Sequence, residues 1–191
     1  IKRSVLAGDF VRFVGDPIAV VVATNREAAR NAAEAIYADF EDLPCVHDIE
    51  AAQKPDAPQI WDHIPNNVVF DWQIGEKEKT DRALVQATHI TSIELINNRV
   101  APTAMENRAA LGEYDASTER FTLTTGTQGA NIMQGVIAGA VLKINPKNLR
   151  VVTPDVGGGF GMKFFAYPEY VCVLHAAKML DRPVKWLSLI H

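Results

Sequence analysis

Cysteine is nearly missing from this sequence. Cys45 and Cys172 are its only two among 191 residues, too few and too far apart for a disulfide framework or a zinc site. Both stand among apolar neighbours and read as small buried hydrophobes. Long apolar runs are lacking as well. The longest mostly apolar stretch, Gly135 to Leu142, falls short of the roughly 18 residues of a membrane span. Neither sign of charge dominates: 23 acidic side chains face 19 basic ones, with a sequence pI near 5.7. Nothing in that balance favours a nucleic-acid partner or an anionic membrane surface. His47, His63, His89 and His175 show no metal-ligand spacing. What is present, 48% hydrophobic and 22% charged residues, is the composition of a globular protein of one domain or two small ones. The chain opens on Ile1-Lys2-Arg3 and closes on Leu187-Ser188-Leu189-Ile190-His191. Both ends read as interior to a longer polypeptide.

The first fifty residues predict strands and a helix. Phe10 to Val14 partly alternates, Gly15-Asp16-Pro17 is a turn signal, and Ile18 to Ala23 is a β-branched run suited to a buried strand. Thr24 stands three residues before Glu27, a capping-box spacing. Ala29, Ala33, Ile36 and Phe40 then recur at helical spacing until Pro44 ends the helix. Another strand is expected near Val46. Residues 53–79, with Pro55, Pro58, Pro65, Asn66-Asn67 and Gly75, read as a linker or surface strap.

A second unit starts near Thr80 with a short helix to Ala87. His89 to Asn97 alternates as a strand does. Ala109–Tyr114 and Phe121–Thr125 are two more strands around the turn Asp115-Ala116-Ser117-Thr118. From Asn131 an apolar stripe predicts a helix that Asn145-Pro146 stops. Leu149–Thr153 is a strand, 157–161 a glycine loop, Pro168 to about Leu180 a helix with proline in its first turn, and Pro183–Leu187 a last strand. The fold class is α+β or mixed α/β.

Three stretches have the composition for chemistry. Pro154-Asp155-Val156-Gly157-Gly158-Gly159-Phe160-Gly161-Met162-Lys163 lies between a strand and a helix. Such a loop admits positive φ and lets backbone amides approach an anion or oxo group, and it serves as a plain tight turn about as often. It is neither G-x-G-x-x-G nor a P-loop, because Lys163 is not followed by Ser or Thr. Asp155 is expected to fix the turn by accepting amide hydrogen bonds. Thr127-Gln128-Gly129 again joins a strand to a helix and offers an amide donor, or simply an exposed polar side chain. In Met105-Glu106-Asn107-Arg108, Glu106 and Arg108 either pair with each other or hold a loop.

In combination these stretches resemble the xanthine dehydrogenase and aldehyde oxidase family of molybdenum hydroxylases. Val11 to Val21, the Ala-rich helix and Leu43-Pro44 look like the second half of its hammerhead domain. Met105–Arg108, Thr127–Gly129, Asp155–Lys163 and Arg182-Pro183-Val184-Lys185-Trp186 match, in order, the start of its molybdopterin-binding domain. Tyr167-Pro168-Glu169-Tyr170 is nearest the branch that includes large subunits of aerobic carbon monoxide dehydrogenases. The resemblance implies a partial hammerhead domain at 1–52, a strap at 53–79, and the first part of a molybdopterin-binding domain at 80–191.

It also implies roles. Gln128 corresponds to the glutamine that hydrogen-bonds an oxo ligand of molybdenum, and Phe160 to the phenylalanine whose backbone lies at the metal. Both would stand just behind the atoms bonded to the metal, with Gly158, Gly159 and Gly161 lining the cofactor. Catalytic groups proper would lie outside this stretch. The implied cofactors are molybdenum–molybdopterin, with [2Fe-2S] clusters and FAD on partner subunits or domains. The substrate would be a small molecule and the compartment the cytoplasm, with the periplasm as alternative. Phe164 stands where purine-oxidising members carry a glutamate, which argues for an apolar pocket wall. The tail Leu187–His191 departs from the family's usual continuation. The rival readings are a non-catalytic anion-binding or assembly module and, weakened by the failed motifs, a nucleotide-phosphate binder. The molybdenum reading makes a geometric demand: Gln128 must lie beside the backbone of Phe160, 32 positions away.

Overall fold

The computed structural model describes residues 4–188; the expectations for Leu189, Ile190 and His191 lie outside the described residues. The chain divides into two compact units, one of residues 38–99 and the other of residues up to 37 together with those from 100 onward.

The unit 38–99 is built on turns and short helices. Helix α2 spans Ile49–Ala52 and is capped by Asp48, whose carboxylate accepts from the Ala51 amide at 2.7 Å. Helix α3 spans Lys77–Gln86, starting three residues before the expected Thr80. The proline-rich stretch between them is tied together by Asn67. Its side-chain amide donates to the carbonyls of Ala52 and Pro58 at 2.9 and 3.0 Å and accepts from the Ile60 amide at 2.9 Å. Asn66 and Asn67 both adopt positive φ, a conformation asparagine tolerates better than most residues.

In the other unit, helix α1 spans Arg26–Glu34. Its N-cap is Asn25 rather than Thr24: the Asn25 side chain accepts from the Ala28 amide at 2.8 Å. The helix ends before Ile36 and Phe40, so the longer stripe expected to run to Pro44 does not form. Among the described residues the stretches expected as strands at 18–23, near Val46 and at 89–97 form no paired strand, and the one expected at 10–14 bends at Phe13 and turns at Val14 and Gly15. Among the described residues the first paired strand is β1. Ile93, Leu95 and Ile96 are 77, 77 and 85% exposed, which leaves the alternation of 89–97 with no surface to pack on. A strand holds its backbone only by pairing with a neighbour. Cys45 is exposed, against the expectation of a buried position, and Cys172 is half-buried.

From residue 100 onward, the elements fall close to where the sequence places them. Strands β1 (Ala109–Asp115) and β2 (Arg120–Thr125) form an antiparallel hairpin. Asp115 holds its turn by accepting from the Ser117 amide and the Ser117 and Thr118 hydroxyls at 2.7–2.9 Å, and these donors bring its carboxyl down to about 2. Helix α4 (Ala130–Gly135) continues as a π-helical stretch, Val136–Leu142, ended by left-handed Lys143. Strand β3 (Leu149–Val152) runs parallel to β2, helix α5 spans Pro168–Leu180, and β4 (Val184–Leu187) pairs antiparallel with β1. The sheet order is β3-β2-β1-β4. Alternate residues Ala110 and Gly112 of β1, and Phe121, Leu123 and Thr125 of β2, are buried, as the two-residue strand period requires. Ala110, Phe121 and Leu123 meet Met133, Ile137, Leu149, Tyr170, Leu174 and Ala177 in one core. Each fully buried leucine there contributes about 1.5–3 kcal/mol by transfer from water.

Gly112 sets how close α5 comes to the sheet. A Cβ at this position would lie 2.7 Å from the Val173 carbonyl carbon and oxygen and 2.9 Å from the Leu174 nitrogen. Backbone therefore rests on backbone, and neither side yields easily. Gly112→Ala should destabilise the chain by about 2–3 kcal/mol through overpacking, read as a lower urea midpoint with an unchanged slope.

Candidate functional site

Strands β2 and β3 are adjacent and parallel, with Phe121 opposite Leu149 and Thr124 opposite Val152. The chain therefore leaves both strands at the same edge of the sheet, where ligand sites of such sheets collect. One exit is the loop 126–129 ahead of α4, and the other is the glycine loop ahead of α5. The two are stitched together. Lys163 donates its backbone N–H to Gln128 Oε1 at 3.2 Å, while its carbonyl accepts from the Gln128 amide at 3.1 Å and the Thr127 hydroxyl at 3.0 Å.

The geometric demand from the sequence is met. Gln128 lies against Gly159, next to Phe160, so closely that a Cβ on Gly159 would sit 2.6 Å from Gln128 Cδ. The bond from Lys163 also orients the amide, because a backbone N–H must be met by the side-chain oxygen. The Gln128 NH2 group is the end left over, and it has no partner among the described residues. Among those residues the N–H groups of Gly159, Phe160 and Gly161 have no acceptor either, whereas Gly158 and Met162 donate to Val156 and Gly159 at 2.9 Å.

The loop's other three glycines are required by geometry as well. Gly158 and Gly161 have φ of +97° and +85°, and a Cβ on Gly157 would be 2.6 Å from Glu106 Cβ. Phe160 adopts φ +50° although it is not glycine. A bulky side chain in the left-handed region is strained, and such strain persists only where the surroundings over-determine it. The Phe160 ring is 72% exposed.

Under the loop lies a buried charge. The Lys163 side chain is 1% exposed, and its Nζ donates to Glu106 Oε2 at 2.5 Å. The same Glu106 oxygen accepts from the Gly157 amide at 2.9 Å. Glu106 thus fastens both ends of the glycine loop. The Lys163 ammonium, with the Gly157 amide second, holds the Glu106 carboxyl below its ordinary value.

Several expectations are corrected here. Glu106 does hold a loop, but it does not pair with Arg108, which pairs with Glu169 at 3.3 Å. The role expected of Asp155 belongs to Glu106: Asp155 is exposed and the Gly157 amide turns to the glutamate. By its place after the glycines, Lys163 is only the lysine of an incomplete P-loop pattern. The available signal was a lysine set directly before Phe164-Phe165, an apolar context in which an ammonium needs a carboxylate.

An open cleft of about 560 Å³ begins at this edge, with Pro102, Gln128, Phe160, Gly161, Phe164 and Tyr167 among its walls. Phe164 and Phe165 meet edge to face at 5.7 Å. The cleft combines an apolar wall with a small set of fixed N–H donors. Such donors stabilise negative charge that develops on an oxygen beside them.

Residues 60–189 match the molybdopterin cofactor-binding domain, and residues 1–44 match the aldehyde oxidase and xanthine dehydrogenase a/b hammerhead domain. The chain is 33% identical to the carbon monoxide dehydrogenase large chain of Hydrogenophaga pseudoflava, over 97% of its own length and 24% of that protein's. It is 32% identical to the nicotine 6-hydroxylase large subunit of Paenarthrobacter nicotinovorans, over 96% of this chain and 22% of that one. Among solved structures it is similar to carbon monoxide dehydrogenase from Oligotropha carboxidovorans, with a TM-score of 0.89, 32% identity and coverage of 97% and 24%. It is also similar to quinoline 2-oxidoreductase from Pseudomonas putida 86, with a TM-score of 0.84, 32% identity and coverage of 97% and 23%. The chain thus spans about a quarter of the length of these relatives.

The Glu106 clamp makes the loop acid-sensitive. A carboxyl whose value is lowered on folding contributes stability that is complete above its ordinary value of 4.5 and is lost as pH falls through the lower folded value. Thermal melts from pH 7 down to 3 should show this loss, and Glu106→Gln should flatten that part of the profile. At pH 7 the same variant should be weaker by about 1–2 kcal/mol. That is less than a fully buried pair would lose, because the Glu106 side chain is 42% exposed.

Proposed function

The chain belongs to the molybdopterin cofactor-binding domain family, and on that premise we propose that it is a section of the molybdenum-cofactor-binding large subunit of a molybdenum hydroxylase. The observation that carries this reading is the convergence, at one sheet edge, of the unpartnered Gln128 NH2 and the unpartnered amides of Gly159, Phe160 and Gly161. That donor set fits the group: it is neutral, fixed and sterically open, as an oxo-bearing metal centre with a bulky organic ligand requires.

Gln128 would donate to an oxygen of the centre. Gly158, Gly159 and Gly161 would let the cofactor come close, and the Phe160 backbone would face the metal. When bound, molybdenum–molybdopterin supplies the two-electron redox chemistry, and the protein supplies binding, orientation and electrostatics. The residues described here position the group and stabilise charge; they abstract no proton and form no bond to substrate.

The whole protein is then an oxidoreductase acting on a small molecule, and Phe164 and Phe165 support an apolar substrate over a purine. Relatives described as large chains and large subunits support partner subunits or domains carrying [2Fe-2S] clusters and FAD. The organisation proposed is a partial hammerhead at 1–52, a strap at 53–79 and the opening part of the cofactor domain at 80–191. Among the described residues no helix is long and apolar enough to cross a membrane. The exposed, unpaired Cys45 supports a reducing compartment, the cytoplasm.

Metal and pterin analysis of the full-length protein tests the reading: both are expected in stoichiometric amount, and their absence sinks it. In the same protein Gln128→Ala should lower turnover by about 10²–10³-fold, the loss seen when one positioned oxyanion donor is removed. The melting temperature should hardly move, because the side chain is exposed and makes one long bond.

A further inference from the structure

Behind the glycine loop lies a second support that the cofactor reading does not use. Arg108, at the entrance to β1, places its guanidinium carbon 3.7 Å from the centre of the Tyr167 ring and 5.2 Å from that of Trp186 in β4. It pairs with Glu169 in the first turn of α5 at 3.3 Å, and the two side chains are only 17 and 29% exposed. Tyr167, so held, donates its hydroxyl to the Met162 carbonyl at 2.5 Å. The Met162 amide donates to the Gly159 carbonyl at 2.9 Å. Met162 is therefore fastened on both sides, and the turn it closes contains Phe160, whose φ of +50° is strained for a side chain of its size.

Resting on the proposed cofactor reading, we propose that Arg108 is a positioning residue. Its planar cation locks the Tyr167 ring, the Tyr167 hydroxyl braces Met162, and that brace keeps Phe160 in its left-handed conformation with the Gly159–Gly161 amides beside Gln128. The stacking requires a flat guanidinium; a lysine ammonium keeps the charge and can still pair with Glu169, but it presents no face to the ring. The brace and the Glu106 clamp act on different atoms. Glu106 holds the ends of the loop at Gly157 and Lys163, and Arg108 sets the curvature between them.

Hydrogen exchange in the full-length protein tests this, with Arg108→Lys, Tyr167→Phe and the double variant. Each single variant should speed exchange of the bonded Met162, Lys163 and Phe164 amides by about five- to tenfold, the scale of one lost hydrogen bond. The double variant should be no faster than either, because both break one relay. The amides of β1 and β2 should be unchanged, which a general loss of stability would not allow. Unchanged loop exchange in Arg108→Lys, additive effects in the double variant, or equal acceleration in loop and sheet would each overturn the proposal. Should Arg108→Lys fail to fold, Tyr167→Phe decides alone, and normal loop exchange in it is equally fatal. Molybdenum analysis of the unsubstituted protein separates this from the functional reading. No molybdenum removes that reading and leaves the exchange result to judge Arg108. Full molybdenum with unchanged exchange removes the role of Arg108 only. In a molybdenum-loaded protein the two single variants should also share one altered Mo(V) paramagnetic resonance spectrum, and an unaltered spectrum in both would count against the relay.

Discussion

A single buried ammonium organises the site. An alkylammonium removed from water is tolerable only beside a carboxylate and with its remaining polar surroundings satisfied. Lys163 reaches Glu106 for the charge, and its backbone engages Gln128 and Thr127. Residues 106, 127–128 and 157–163 are far apart along the chain, and all must be in place before the lysine can be buried. The glycines follow from the same crowding. Gly157 has no room for a Cβ beside Glu106, nor Gly159 beside Gln128, each approach being 2.6 Å.

The sheet supplies the platform on which those segments meet. The core residues under β1 and β2 bind α5 so closely that Gly112 touches its backbone, which fixes where α5 begins. Pro168 and Glu169 therefore stand at a set distance from the sheet edge, and the chain from Val152 must cross that gap as a loop. Because β2 and β3 are parallel, the loop crosses beside Gln128 rather than at the other end of the sheet. Packing in the core is thus transmitted to the direction of a few amide donors at the rim.

The rim itself is a balance of two solvents. Among the described residues Gln128 NH2 and the Gly159–Gly161 amides donate to no carboxylate, and the Glu106 carboxylate is taken up by Lys163 and Gly157. Phe160, Phe164 and Phe165 flank them with apolar surface that is 40–72% exposed. Donors held this way gain strength as water is excluded, because a lower local dielectric favours fixed dipoles around a developing negative charge.

By itself the sequence determined what depends on neighbours in the chain. The helices at 130–142 and 168–180, the Asp115 turn, the β1–β2 hairpin and the glycine loop all appear within a few residues of their predicted places, because their hydrogen bonds close over short separations or their turn residues are specific. The motif order also carried the family resemblance and the placing of Gln128 against the glycine loop. Only the tertiary structure decided which long-range partners are met. The β-branched run at 18–23 and the alternation at 89–97 are good strand patterns, yet among the described residues neither forms a ladder, because a strand's hydrogen bonds belong half to another segment. The partners of Glu106 and Arg108 were undecided for the same reason. Glu106 lies in a bend and Arg108 at the entrance to β1, so spacing along the chain does not set their directions: one reaches Lys163 under the loop and the other Glu169 and Tyr167 behind it.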